Sequence, residues 1–246
     1  MKRKNILFGL CVMVLGLAPL RAQTGGEQYK EALREYVKKM AAYGNPPKAG
    51  QSYYLHMGIE TEYRPAAHKP ATSVEVKMQV ADGKVYCESG YVSAYIDRED
   101  AFTVVHPQRT IYRSKGGNNA LALQNTRAVA VLQDSLLRTS RVVGCRRTVE
   151  LGKDVQEITL EPRESVRKAT RISTIRFYYD PAAAQVVRVV NAYLPEHPVQ
   201  QETVTYHAID FGSKRDMSRS ARARVMTGNG KLLPAYKNYT LIDNRQ

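Results

Sequence analysis

The chain of 246 residues carries 37 Lys and Arg against 23 Asp and Glu, a formal net charge of +14, with 43% apolar residues and no Trp. That length suits one domain with a sizeable core, and no internal repeat points to a solenoid or array. The positive charge alone would admit nucleic acid as a partner, but the N-terminus argues against one.

"MKRKNILFGLCVMVLGLAPLRAQ" opens with Lys2, Arg3 and Lys4 and continues as an apolar run from Ile6 to Leu17, which Pro19 breaks ahead of the small Ala22. These are the three regions of a secretory signal, so residues 1–22 are predicted to be a cleavable signal peptide and 23–246 a single exported domain. The apolar run is shorter than the roughly 20 residues that span a bilayer, which disfavours an anchor. Leu10 precedes Cys11 where a lipidation signal has a small residue, so no lipid anchor is expected. The expected location is the periplasm. A basic surface there meets anionic lipid head groups, lipopolysaccharide or acidic proteins, with peripheral membrane contact as one outcome, and not nucleic acid.

In "EQYKEALREYVKKMAAYG" the residues Tyr29, Ala32, Leu33, Tyr36, Val37, Met40 and Tyr43 recur at three- and four-residue steps. This predicts an amphipathic helix over 27–44, stopped by Gly44 and the "NPP" that follows. Its polar face mixes both charge signs, which favours a helix laid over a core rather than on a membrane.

From Ser52 the period changes to two. "TSVEVKMQV" sets Val74, Val76, Met78 and Val80 against Glu75, Lys77 and Gln79, the pattern of an antiparallel strand with one dry side. "ADGK" supplies a tight turn, and "KVYCES", "VSAYID", "AFTVVHP" and "TIYRS" follow as a meander. The "DRED" stretch, Asp97 to Asp100, reads as a solvated polar tip between two strands, and Pro107 ends the strand that carries His106. After "KGGNN", "ALALQNTRAVAVLQDSLLRTS" predicts a second helix. Strands return in "RVVGCRRTVEL", "VQEITLE", "RISTIRFYYD", "QVVRVVNAYL" and "ETVTYHAIDF", with a last one in "GKLLPAYKNYTLID". The fold class is therefore α+β: a curved antiparallel sheet, an incomplete β-barrel, covered by an N-terminal helix and a mid-chain helix.

Chemistry has little foothold. His56, His68, His106, His197 and His207 stand singly with no metal-ligand spacing, no Ser lies in a GxSxG frame, and no Gly-rich loop precedes a helix. No catalytic residue, metal site or cofactor is expected, and the chain is predicted to be non-enzymatic. In an oxidising compartment Cys87 and Cys145 are a disulfide candidate, the alternative being two thiols packed as small apolar groups. "GSKRDMSRSARARVMTGNGK" carries Lys214, Arg215, Arg219, Arg222, Arg224 and Lys231 against Asp216 alone. It reads either as contacts for an anionic partner or as a solvated loop.

The run from "SYYLHMGIETEY" through "VEVKMQVADGKVYCESGYVSAYIDREDAFTVVHPQRTIYRS" resembles, in element order and texture, the periplasmic lipoprotein-carrier (LolA-like) half-barrel superfamily. The resemblance implies a sheet wrapped around an apolar cavity that takes acyl chains. Val74, Val76, Met78, Val80, Val85, Phe102 and Val104 are then the candidate ligand wall, unless they simply pack under the helices. Carriers of this kind also use a buried arginine to hold a lid; no arginine of this sequence is matched to that role, Arg176, on the strand face of Tyr178, being only formally open to it. The function so implied is an exported envelope protein binding an acylated or lipid-like ligand, as carrier or sensor. The alternative is a structural or adaptor component that meets an envelope protein or anionic partner through its basic C-terminal region.

Overall fold

A computed structural model describes residues 18–41, 50–81, 83–117 and 134–245. Residues 1–17 of the expected signal peptide, 42–44 at the end of the expected first helix and 120–133 of the expected second helix lie outside the described residues. Helix α1 spans Ala18–Ala41, so it runs across the expected cleavage position. Five strands follow the first one, β1 (Ser52–Tyr63), as the meander predicts: β2 (Thr72–Ala81), β3 (Lys84–Ser89), β4 (Val92–Ile96), β5 (Asp100–Val105) and β6 (Thr110–Lys115). Residues 134–139 are helical (α2) and lead into β7 (Arg141–Glu150) and β8 (Lys153–Glu161). A short helix α3 (Glu164–Thr170) precedes β9 (Ile172–Asp180), β10 (Gln185–Tyr193) and β11 (Val199–Ser213). Helix α4 (Ala221–Val225) and β12 (Thr240–Asp243) complete the order.

The twelve strands of the described residues form one open sheet in the order β12-β6-β5-β4-β3-β2-β1-β11-β10-β9-β8-β7. Neighbours are antiparallel except β12, which adds parallel to β6. The connection that parallel pairing needs is present: the chain leaves β11 and crosses half the sheet before reaching that edge. Register shifts in the β1–β11, β9–β10 and β7–β8 pairs bend the sheet, as bulges do.

The two faces are covered at opposite ends. On one face, Leu33, Tyr36 and Val37 of α1 and Leu136 and Leu137 of α2 pack on Val142, Ile158, Leu160, Ile175, Phe177 and Val189 of β7 to β10. This is the face the predicted helix was expected to cover, and burial of each such side chain contributes about 1.5–3 kcal/mol. The outer side of α1 carries the ion pairs Glu31–Arg34 and Glu35–Lys38. On the opposite face, the segment after β11 lies over β3 to β6, with Met217, Ala221, Val225 and Met226 buried against Tyr86, Tyr95, Phe102, Val104 and Ile111. That cover was not expected from the sequence.

The β4–β5 turn departs from the expected solvated tip. Arg98 and Glu99 are exposed, but Asp97 and Asp100 are only 7% and 5% exposed. The Asp97 carboxylate accepts from the backbone N–H groups of Glu99 and Asp100 at 2.9 Å and, through its other oxygen, from Ala221 N–H at 2.7 Å. Asp100 is paired with the buried Arg113 at 2.7 Å. These acids are held because the C-terminal segment closes over them and supplies partners, which a buried carboxylate requires. Gly116 passes so close beneath the turn that a Cβ there would lie 2.4 Å from the Asp97 carbonyl oxygen.

Candidate functional site

Strand register decides which residues share a face. Val74, Val76, Met78 and Val80 pair with Ile59, Met57, Leu55 and Tyr53 of β1, and Val80 pairs with Val85 of β3. Paired residues project to the same side, so these nine side chains form one apolar surface. Leu55 also pairs with Ile209 of β11, which packs against the α1 core, so this surface continues the face that α1 covers. Val80, Val85 and Leu55 are buried, and the others are half-buried. Phe102 and Val104 fall elsewhere. Register carries Phe102 through Tyr95 and Tyr86 to Gln79, which alternates with Met78 and Val80. Both residues therefore face the C-terminal segment and are fully buried beneath it. The expected seven-residue wall is divided: five members on the α1 face, two in a separate core.

The basic run is ordered cover rather than a loop in solvent. The Arg224 guanidinium stacks 4.2 Å from the Tyr86 ring centroid and pairs with Glu88 at 3.6 Å, and Arg215 stacks 3.7 Å from Tyr54. The Tyr86 hydroxyl donates to the Arg219 carbonyl, and Lys84 donates to the Met217 carbonyl at 2.6 Å. Lys214, Arg219 and Arg222 keep exposed side chains. Lys84, Lys214 and Arg215 border a cleft of about 320 Å³ where β1, β2 and β11 end. The four-residue spacing of Met217, Ala221 and Val225 is the sequence signal that this run is anchored by an apolar edge.

Cys87 and Cys145 are both free thiols, correcting the disulfide candidate. They stand on β3 and β7, which seven strand spacings separate in the sheet order. Burial pushes both thiols above their ordinary pKa. Arg176 pairs in register with Val190, on the face away from α1, and donates to Gln201 at 3.2 Å, so it does not face the apolar surface. His106 bridges the Ser93 hydroxyl at 2.9 Å and the Tyr239 hydroxyl at 3.0 Å. Ser93 is buried, so this chain of polar groups ties the C-terminal segment to β4.

One cluster went unseen in the sequence, where no metal site was expected. His56 of β1, Glu75 of β2 and His207 of β11 converge on the face opposite the apolar surface, their ligating atoms all within 4.8 Å of one another. His56 Nε2 lies 2.7 Å and His207 Nε2 3.4 Å from the Glu75 carboxylate. Three separate strands contribute, so no linear spacing could reveal it; Gly58, set inside an alternating strand, is the one sequence hint.

No protein-family model matches the sequence, and none of the curated proteins does. Among solved structures the chain is similar to a complex of MucA and MucB from Pseudomonas aeruginosa, with 13% identity over 82% of this chain and 63% of that one, and a TM-score of 0.38. It is similar to a putative outer membrane lipoprotein-sorting protein domain from Vibrio parahaemolyticus, with 8% identity over 75% of this chain and 94% of that one, TM-score 0.30. It is also similar to a LolA superfamily protein from Nitrosomonas europaea, with 6% identity over 74% of this chain and 93% of that one, TM-score 0.29. Among the described residues no helix is long and apolar enough to cross a membrane.

Proposed function

We propose that the chain is an exported, periplasmic, non-enzymatic protein that binds an acylated or lipid-like ligand on the α1 face of its half-barrel, as carrier or sensor. One observation carries this reading. Met57, Ile59, Val74, Val76 and Met78 make a half-buried apolar row beside the section of the same face that α1 packs. An acyl chain laid along such a row gains about 0.8 kcal/mol for each methylene buried, so no polar motif is needed to hold it. Three members of the predicted wall, Val74, Val76 and Met78, belong to this row; Val80 and Val85 are buried on the same face, and Phe102 and Val104 lie on the other.

Native mass spectrometry of the protein purified from an envelope fraction tests the reading. Extra mass of an acyl or lipid species is expected, and Val76→Glu should abolish it by putting a carboxylate into the row. A parent protein that carries only its own mass, and takes up no fluorescent fatty acid when offered one, would overturn it.

A second reading, an adaptor for an anionic or envelope-protein partner, draws on Lys214, Arg219 and Arg222, whose exposed side chains stand on an anchored segment. Association through them would weaken steeply with salt, since the Debye length falls to about 3 Å at 1 M.

A further inference from the structure

We propose that His56, Glu75 and His207 form a binding site for a divalent transition-metal ion, of which Zn²⁺ is the type case, on the face of the sheet opposite the proposed ligand surface. Two imidazoles and one carboxylate are a donor set that zinc takes readily, leaving a fourth position for water or a partner's ligand.

The local backbone is shaped around the cluster. His56 pairs with Ala208 and Met57 with Tyr206, so His207 is the extra residue of a bulge in β11. Bulges re-aim a side chain, and here the bulged residue joins the face of His56, their ring centroids 4.8 Å apart and tilted by 48°. Gly58 lies between them on the floor. A Cβ there would stand 2.9 Å from Glu75 Oε1 and 3.1 Å from His207 Nε2, so any other residue would crowd the donors. Three donors within 4.8 Å are a small side-chain adjustment from the spacing of about 4 Å or less that two groups on one zinc ion span. The exposed Lys77 pairs in register with His56 and is the cation nearest along the ladder; the Glu75 carboxylate offsets it.

The experiment uses the full chain, freed of any histidine tag and of metal, titrated with Zn²⁺ alone against a chromophoric chelator. One equivalent should bind. His207→Asn and Glu75→Gln should each weaken it by more than the roughly tenfold that loss of an outer partner costs, and Gly58→Ala should weaken it as well. The double variant Cys87→Ser, Cys145→Ser should bind as the parent does. Absence of stoichiometric binding, binding unchanged in His207→Asn, or loss confined to the cysteine variant would each overturn the site. Should the variants not fold, the parent decides by histidine ring NMR. Zn²⁺ must move the His56 and His207 signals and leave those of His68 and His197; the reverse contradicts the assignment. The site stands apart from the acyl surface, so either proposal can fail alone.

Discussion

At the scale of single residues, the β4–β5 turn is where charge has the largest leverage. Asp100 and Arg113 are both buried and lie 2.7 Å apart. Asp100→Asn should therefore cost roughly 3–5 kcal/mol, because Arg113 keeps its charge with its closest partner gone. Thermal or urea unfolding measures this, and the double change Asp100→Asn, Arg113→Met should cost less than the single one. Asp97→Ala strips acceptors from three backbone N–H groups and should cost about 1–3 kcal/mol for each one left buried and unpaired. Tyrosines set the alkaline limit. Burial pushes the Tyr206 hydroxyl up to about 12 from an ordinary 10.0, and burial also raises Tyr95 and Tyr86. A phenol with a raised native pKa ionises first in the unfolded chain. Its stabilisation is whole below pH 10 and is lost as pH climbs through about 12. Melting temperature should fall over that window, and less so in Tyr206→Phe.

Individual elements differ in how legible they are from sequence. The α1 residues Leu33, Tyr36 and Val37 declare themselves by spacing, because a helix with one apolar stripe has one way to bury it. Leu33→Ala should cost about 2–5 kcal/mol by opening a hole against β7 to β10, measurable by denaturant titration. Strand alternation was equally plain, but alternation gives two faces per strand without saying which faces match across the sheet. Alternation alone therefore groups Phe102 and Val104 with Val74 and Val76, whereas register puts them on opposite sides. The basic run misled for another reason: its charges are conspicuous, while its anchors, Met217, Ala221 and Val225, are three residues among many cations. Val225→Asp should release this segment. Hydrogen exchange would then rise in β5 and β6 and stay unchanged in β8 and β9, which pack on the α1 side.

For the whole molecule, the sheet works as two half-structures joined through β1 and β2. At one end α1 covers one face; at the other end the C-terminal segment covers the opposite face. The stretch of the α1 face on β1 and β2, beyond the strands that α1 packs, is the proposed seat of the ligand. The basic composition and the expected signal peptide point only to an anionic or oily partner; register across β1, β2 and β3 identifies which apolar side chains form one surface. The most direct measurement is photo-crosslinking with a fatty acid that bears a diazirine on its chain, followed by peptide mapping of the adducts. Adducts should concentrate on residues 53–59 and 74–80 and disappear when unlabelled fatty acid is added. Adducts absent from both strands, or spread over residues 214–239 and insensitive to competition, would contradict the account.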